Sequence, residues 1–347
     1  MQIAAVGLSL PKHYFEQEEL ADALSKLWAG RFHNPQRLEQ IHRNVLVGGR
    51  HLALPIEGYE QLKGFGDANA AYIECGLELG EQAIRAALAR ADLSPLDVDH
   101  IFSVTVTGIS APSLDARLAN RLPLRSDVKR TPIFGLGCVA GAAGIARAAD
   151  YLRAFPGQTA VLLSVELCSL TLQRGDASIA NVIASGLFGD GAAAVVLRGA
   201  NTGARGPRIL ATRSIFYPHT ERVMGWDVAD GGFQVVLSAD VPKLAAGLRP
   251  DVDRFLADQG IRLPEIDVFV CHPGGPRVLE AIEQSLSLKP DALAYSWEHL
   301  SRVGNLSSAS VLFVLSEVLD EPPEPGSFGL LLAMGPGFCS ELVLLQW

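Results

Sequence analysis

Five cysteines in 347 residues, none in a paired spacing, exclude a disulfide framework and fit the reduced thiols of a cytosolic enzyme. No apolar run approaches the ~20 residues that a membrane helix needs. The apolar start, Ile3 to Leu10, lacks a basic flank and is too short for a signal peptide, so it reads as a first strand. Basic excess is missing too: 29 Lys and Arg against 38 Asp and Glu leave a formal charge of −9, which argues against a general nucleic-acid binder. There are no low-complexity segments, no short repeats and no Walker-type loop, and no His/Cys/Asp cluster has metal-ligand spacing. What is present is 48% hydrophobic residues with 19% charged, enough to bury a large core over a length that suggests about two domains.

One cysteine stands apart. Cys138 sits in Gly135-Leu136-Gly137-Cys138-Val139-Ala140-Gly141, between an apolar strand (Thr131 to Phe134) and an Ala-rich helix (Ala140 to Leu152). A thiol on such a turn points at a helix N-terminus, where unpaired N–H groups and the dipole favour thiolate. A buried cysteine serving as a small hydrophobe is the competing reading.

Two later turns decide between them. Val268-Phe269-Val270-Cys271 delivers His272 into Pro273-Gly274-Gly275-Pro276, and Gly304-Asn305-Leu306-Ser307-Ser308 leads into the apolar helix Val311 to Leu319. Alone, His272 reads as a structural residue and Asn305 as an N-cap. Together with Cys138 they form a chemical set of nucleophilic thiol, activating imidazole and amide donor for developing negative charge.

Strands and helices alternate in two similar halves. The first holds strands near Gln2–Leu8, Ile101–Thr107, Thr131–Phe134, Ala160–Val165 and Ala192–Leu197, with helices near Ala70–Ala91, Leu114–Leu122 and Ala140–Leu152. A linker follows at Arg198 to Pro207. The second holds strands near Ile209–Phe216, Val235–Leu237, Val268–Cys271, Leu330–Met334 and Leu342–Leu345, with helices near Val241–Asp258, Arg277–Ser287 and Ser307–Leu319. Cys138 lies in one half and His272 and Asn305 in the other, so the site is expected at their junction. Arg31, Arg37, Arg43 and Arg50 face a single acid, Glu39, between residues 31 and 51; this is a landing site for a polyanion or a solvated helix face.

At these residues the chain resembles the type III polyketide synthases, of the chalcone-synthase type within the thiolase-like superfamily. The resemblance runs over nearly the whole length. It is carried by the Cys138 segment, Ser164-Val165-Glu166-Leu167-Cys168-Ser169, Leu187-Phe188-Gly189-Asp190-Gly191, His272-Pro273-Gly274-Gly275-Pro276, Gly304-Asn305-Leu306-Ser307-Ser308-Ala309 and Met334-Gly335-Pro336-Gly337-Phe338. Ketoacyl synthases share the Cys, His and Asn but usually carry Gln-Ala-Asn after the histidine. The resemblance implies an α/β, five-layered αβαβα fold in two halves, 1–204 and 205–347. It further implies acyl- and malonyl-coenzyme A as substrates, no cofactor, and a cytoplasmic homodimer.

Residue roles follow from the same resemblance. Cys138, His272 and Asn305 would be catalytic. Phe188 would be a gatekeeper, and Val235 would replace the second gatekeeper phenylalanine, with Phe233 and Trp226 close by. Thr107, Ala111, Cys168, Thr171, Ser307, Gly337 and Phe338 would line the substrate pocket, and Arg43, Arg50 and Arg277 would hold coenzyme A. Small groups at Thr107, Ala111 and Cys168 resemble members with a long acyl tunnel, so the favoured expectation is a fatty acyl starter extended to an alkyl α-pyrone or resorcinol. The alternative is 1,3,6,8-tetrahydroxynaphthalene made from malonyl units alone, since such members can carry a second pocket cysteine. A non-catalytic acyl-binding protein is a third possibility, disfavoured by the intact set of three.

Overall fold

The computed structural model describes residues 1–30 and 36–347, which leaves Arg31 outside the described residues. Nine strands form one continuous sheet in the order Ile266–Cys271, Phe328–Gly335, Cys339–Gln346, Arg208–Phe216, Gln2–Ser9, Asp190–Arg198, Thr159–Leu167, His100–Thr105, Lys129–Phe134. The two halves of the chain meet in this sheet at a single pair, Gln2 opposite Arg208. Every other junction is a long ladder, so the sheet is two blocks hinged on one rung.

The layering follows from side-chain alternation. Along Thr159–Leu167, Val161, Leu163, Val165 and Leu167 pack with Leu79, Ile84, Leu88, Leu114 and Leu118 of the helices Phe65–Arg90 and Leu114–Arg121. The residues between them, Ala160 and Leu162, turn to the opposite face and pack with Ile145, Ala149, Leu312 and Leu315 of the helices Ala140–Ala154 and Ser310–Asp320. Those two helices also receive Leu331, Ala333, Val343 and Leu345 from the second block. Its other face, Leu330, Leu332, Leu342 and Leu344, packs with Val252, Phe255, Leu279 and Ile282. A period of two on each strand thus builds helix, sheet, helix pair, sheet, helix. Strands buried on both faces read as unbroken apolar runs, which is why the sequence shows them clearly.

Several elements depart from the sequence reading. The helix expected over Val241–Asp258 is two, Val241–Ala246 and Arg249–Ala257, parted at Gly247 where Pro250 starts the second. The final central helix starts at Ser310, after a 3₁₀ turn over Ser307–Ala309. Helices Gln17–Leu27, Gln36–Asn44, Ile56–Gln61, Ile179–Leu187 and Ala294–Val303 were not expected, nor was the strand pair His13–Glu16 with Gly49–Leu52. Among the described residues no helix is long and apolar enough to cross a membrane.

Candidate active site

The strand Lys129–Phe134 ends at Gly135, and Cys138 occupies the middle of a 3₁₀ turn, Gly137–Val139, that runs directly into Ala140–Ala154. Gly137 has φ +54, and a Cβ there would sit 2.7 Å from the Pro336 ring. Both the backbone conformation and the space therefore require glycine. At Gly141 a Cβ would overlap the Ser308 carbonyl. This absence lets the nucleophile helix approach the turn that carries Asn305.

His272 follows the strand Ile266–Cys271; its N–H donates to Leu332 O at 2.9 Å, fixing the backbone at the strand end. The ring is 5% exposed, and neither nitrogen has a hydrogen-bond partner. A buried imidazole whose two nitrogens lack a protein partner is a candidate to contact a bound group. Asn305 is 1% exposed. Its Oδ1 accepts from Ser307 N at 2.8 Å, and its Nδ2 donates to Gly274 O at 3.4 Å, two residues after His272. The Cys138 Sγ donates to Ser307 Oγ at 3.8 Å. The turn 305–307 thus ties the cysteine loop to the histidine loop, and residues from both halves converge.

Beneath this turn lies an acid whose role the sequence reading overlooked. Glu166 is fully buried and accepts from Thr107 Oγ1 at 2.9 Å, Val106 N at 3.1 Å, Ser307 Oγ at 3.3 Å and Ser308 Oγ. Its signal was a carboxylate inside an otherwise apolar strand. Burial raises its pKa, and these donors partly offset the shift.

Burial opposes the thiolate that the helix N-terminus is expected to favour. Burial, reinforced by Glu166, pushes the Cys138 thiol up to about 12, with Ser307 and Asn305 pulling it back only in part. Burial alone pushes His272 down to about 3. Burial thus favours the uncharged form of both groups. Cys168 is buried near enough to Cys138 for one thiolate to disfavour the other.

A cavity of about 610 Å³ reaches this region and is lined by Arg50, Cys168, Thr171, Phe188, Trp226 and Val235, among others. Cys138, His272 and Asn305 do not line it. Phe188 stands between, paired in an isolated parallel bridge with Asn305. Other expected pocket and coenzyme residues have different surroundings. Thr107 has its hydroxyl committed to Glu166 and to Leu167 N and borders an adjoining cavity of about 460 Å³, which shares Tyr59, Ser169, Leu172 and Arg174 with the first. Ala111 is exposed and lines neither cavity. Phe338, at 0% exposure, packs in the core against Tyr217. Arg50 is 3% exposed and donates to main-chain carbonyls rather than facing solvent. Gly337 lies at the turn between the last two strands, while Arg43, close to Glu39, and Arg277 are exposed.

Fold and site together define an acyltransferase of the thiolase-like class. Residues 1–202 match the N-terminal domain of chalcone and stilbene synthases and residues 208–347 the C-terminal domain. The chain belongs to this family and is a type III polyketide synthase. It is 51% identical, over 99% of its length and 93% of the relative's, to 1,3,6,8-tetrahydroxynaphthalene synthase of Streptomyces peucetius subsp. caesius. It is 38% identical to a putative chalcone synthase of Bacillus subtilis, over 99% of this chain and 98% of that one. The crystal structure of 1,3,6,8-tetrahydroxynaphthalene synthase from Streptomyces coelicolor A3(2) superposes with a TM-score of 0.95 at 34% identity, covering 100% of this chain and 99% of that one.

Proposed function

We propose that this synthase primes and extends with malonyl-coenzyme A and releases 1,3,6,8-tetrahydroxynaphthalene. The observation that supports this most is the second buried thiol, Cys168, which lines the cavity close to Cys138. The likeness to tetrahydroxynaphthalene synthases over the whole chain agrees with it.

In this reading Cys138 Sγ attacks the thioester carbonyl while its proton passes to the neutral imidazole of His272. The coenzyme thiolate leaves and takes up that proton. A second malonyl thioester then places its carbonyl oxygen toward His272 and Asn305. Breaking the bond to the carboxylate releases carbon dioxide and leaves the electron pair as an enolate, its negative oxygen facing those donors. The enolate carbon attacks the acyl-Cys138 carbonyl, the C–S bond breaks, and the lengthened chain returns to Cys138. Phe188 supplies an apolar wall that disfavours the malonyl carboxylate and so favours its loss. Lys26 and Arg174 also line the cavity and suit a coenzyme phosphate. A homodimer belongs to the same reading, with Ile109 and Phe134 exposed beside the Ala111 loop.

Incubation with malonyl-coenzyme A alone, then with acetyl to long-chain acyl starters, is the test, read by mass spectrometry. Malonyl units alone should yield tetrahydroxynaphthalene, with no gain from a longer starter. Product formation only with long-chain starters would restore the alkylpyrone reading and leave the synthase assignment standing.

A further inference from the structure

The helix Ile179–Leu187 ends at the gate, and each carbonyl of its last turn has a named donor. Ala184 O accepts from Phe188 N at 3.0 Å, and Ser185 O from Arg50 Nη1 at 2.6 Å. Gly186 O accepts from Gln17 Nε2 at 2.9 Å, Leu187 O from Asn305 N at 2.9 Å, and Phe188 O again from Arg50 Nη1 at 2.8 Å. Helix C-termini usually leave such carbonyls to water. Here a buried guanidinium takes two of them, at the end of the helix where a cation is favoured. Gly189 N in turn donates to Asn305 O at 3.0 Å, so Phe188 is clasped between Arg50 on one side and the Asn305 backbone on the other.

The guanidinium also limits the asparagine turn. Gly304 has φ +75, and a Cβ there would lie 2.7 Å from Leu187 O and 3.1 Å from Arg50 Cδ. Arg50 itself is anchored in the strand Gly49–Leu52, where it pairs with Phe15. Its Nε has no partner, and burial lowers its pKa to about 10, opposed by Asp190. A charge held in such surroundings for packing alone would be costly.

We propose that Arg50 is a positioning residue for decarboxylation. By gripping the Ser185 and Phe188 carbonyls it sets the register of Phe188 against Asn305, and with it the aim of the asparagine amide and the seat of the gate ring. The proposal rests on the reading of Asn305 as a donor to the enolate oxygen. Displacing a donor or reacting group by about 1 Å costs on the order of 10²-fold in rate, so losing the grip should slow turnover without weakening coenzyme recognition.

The test is carbon dioxide release from malonyl-coenzyme A by wild type, Arg50→Ala, Arg50→Lys and Asn305→Ala. Each kcat is expressed per Cys138 titrated by acylation from malonyl-coenzyme A in a single acid-quenched turnover, a label that unfolded protein does not acquire. Arg50→Ala should lose about 10- to 10²-fold in kcat with KM little changed, and Arg50→Lys should recover part of that loss. A kcat per titrated site within about twofold of wild type, or a rise in KM at constant kcat, would overturn the proposal. The latter would make Arg50 a substrate-binding group. If Arg50→Ala yields no titratable site, Arg50→Lys decides by the same criteria. Full activity in Asn305→Ala would overturn the enolate reading itself, separately from the fate of Arg50.

Discussion

At the scale of the residue, the proposed mechanism divides its labour between one nucleophile and two donors. Cys138→Ala should abolish chain extension yet retain malonyl decarboxylation, because His272 and Asn305 still face the enolate oxygen. His272→Ala should impair both steps, since both use the imidazole, with a loss of about 10²–10³-fold in decarboxylation. Product assays alongside carbon dioxide release separate the two, and full product formation by Cys138→Ala would refute the nucleophile assignment. That Cys138, His272 and Asn305 come together was legible because each stands on a turn at the end of an apolar element. The roles of Arg50 and Thr107 were not. Nothing in the local sequence says that an arginine in Val47-Gly48-Gly49-Arg50 donates to carbonyls 135 and 138 residues away, or that a threonine hydroxyl turns to a buried glutamate on the neighbouring strand.

At the scale of the element, the cysteine turn depends on a backbone that only glycine adopts easily. Gly137→Ala would hold alanine at φ +54, a cost of about 1–2 kcal/mol, and would press its Cβ on Pro336. The thermal unfolding midpoint should fall, and activity should fall further than stability because Cys138 is the next residue. An unchanged midpoint would show that the turn relaxes elsewhere. Legibility at this scale followed burial. Doubly buried strands such as Asp190–Arg198 announced themselves as apolar runs, and Ala140–Ala154 as an Ala-rich helix. The helix Ile179–Leu187 did not, since Ala-Ser-Gly near its end mimics a loop and the partners that complete its last turn come from Gln17, Arg50 and Asn305. Ala294–Val303 was hidden in the same way, with no side-chain cap at its start and a mixed polar face.

At the scale of the whole molecule, three of the four buried histidines are shifted furthest and connect stability to pH. Burial is the leading cause for each, lowering His42 to about 4 and His272 and His299 to about 3 from an ordinary 6.5. Their folded pKa values lie below the unfolded ones, so the unfolded chain binds more protons below about pH 6.5. Their contribution is fully present above that pH and is lost as pH falls toward 3 to 4. Asp190, raised by burial to about 6, acts in the opposite sense between about 4 and 6. A variant isolates one sign: the gap in melting temperature between wild type and His299→Gln should narrow as pH drops from 8 to 5, and a gap independent of pH would contradict a neutral buried His299.

The proposed dimer is also a property of the whole. Phe134→Glu should yield monomer by sedimentation while leaving the chain folded, because the phenylalanine is 51% exposed in the single chain. Wild-type protein sedimenting as a monomer would remove that assembly.

The account rests on an acyl chain carried by Cys138 rather than by the second thiol beside it. Arg130 and Arg147 bracket Cys138, and Arg153 and Arg174 bracket Cys168, so trypsin separates the two on different peptides. Enzyme quenched in acid during turnover of malonyl-coenzyme A, then digested and weighed, should carry its acyl mass on the peptide from Thr131 to Arg147 and lose it in Cys138→Ala. Acyl mass on the Cys168 peptide, or persisting in Cys138→Ala, would contradict the mechanism.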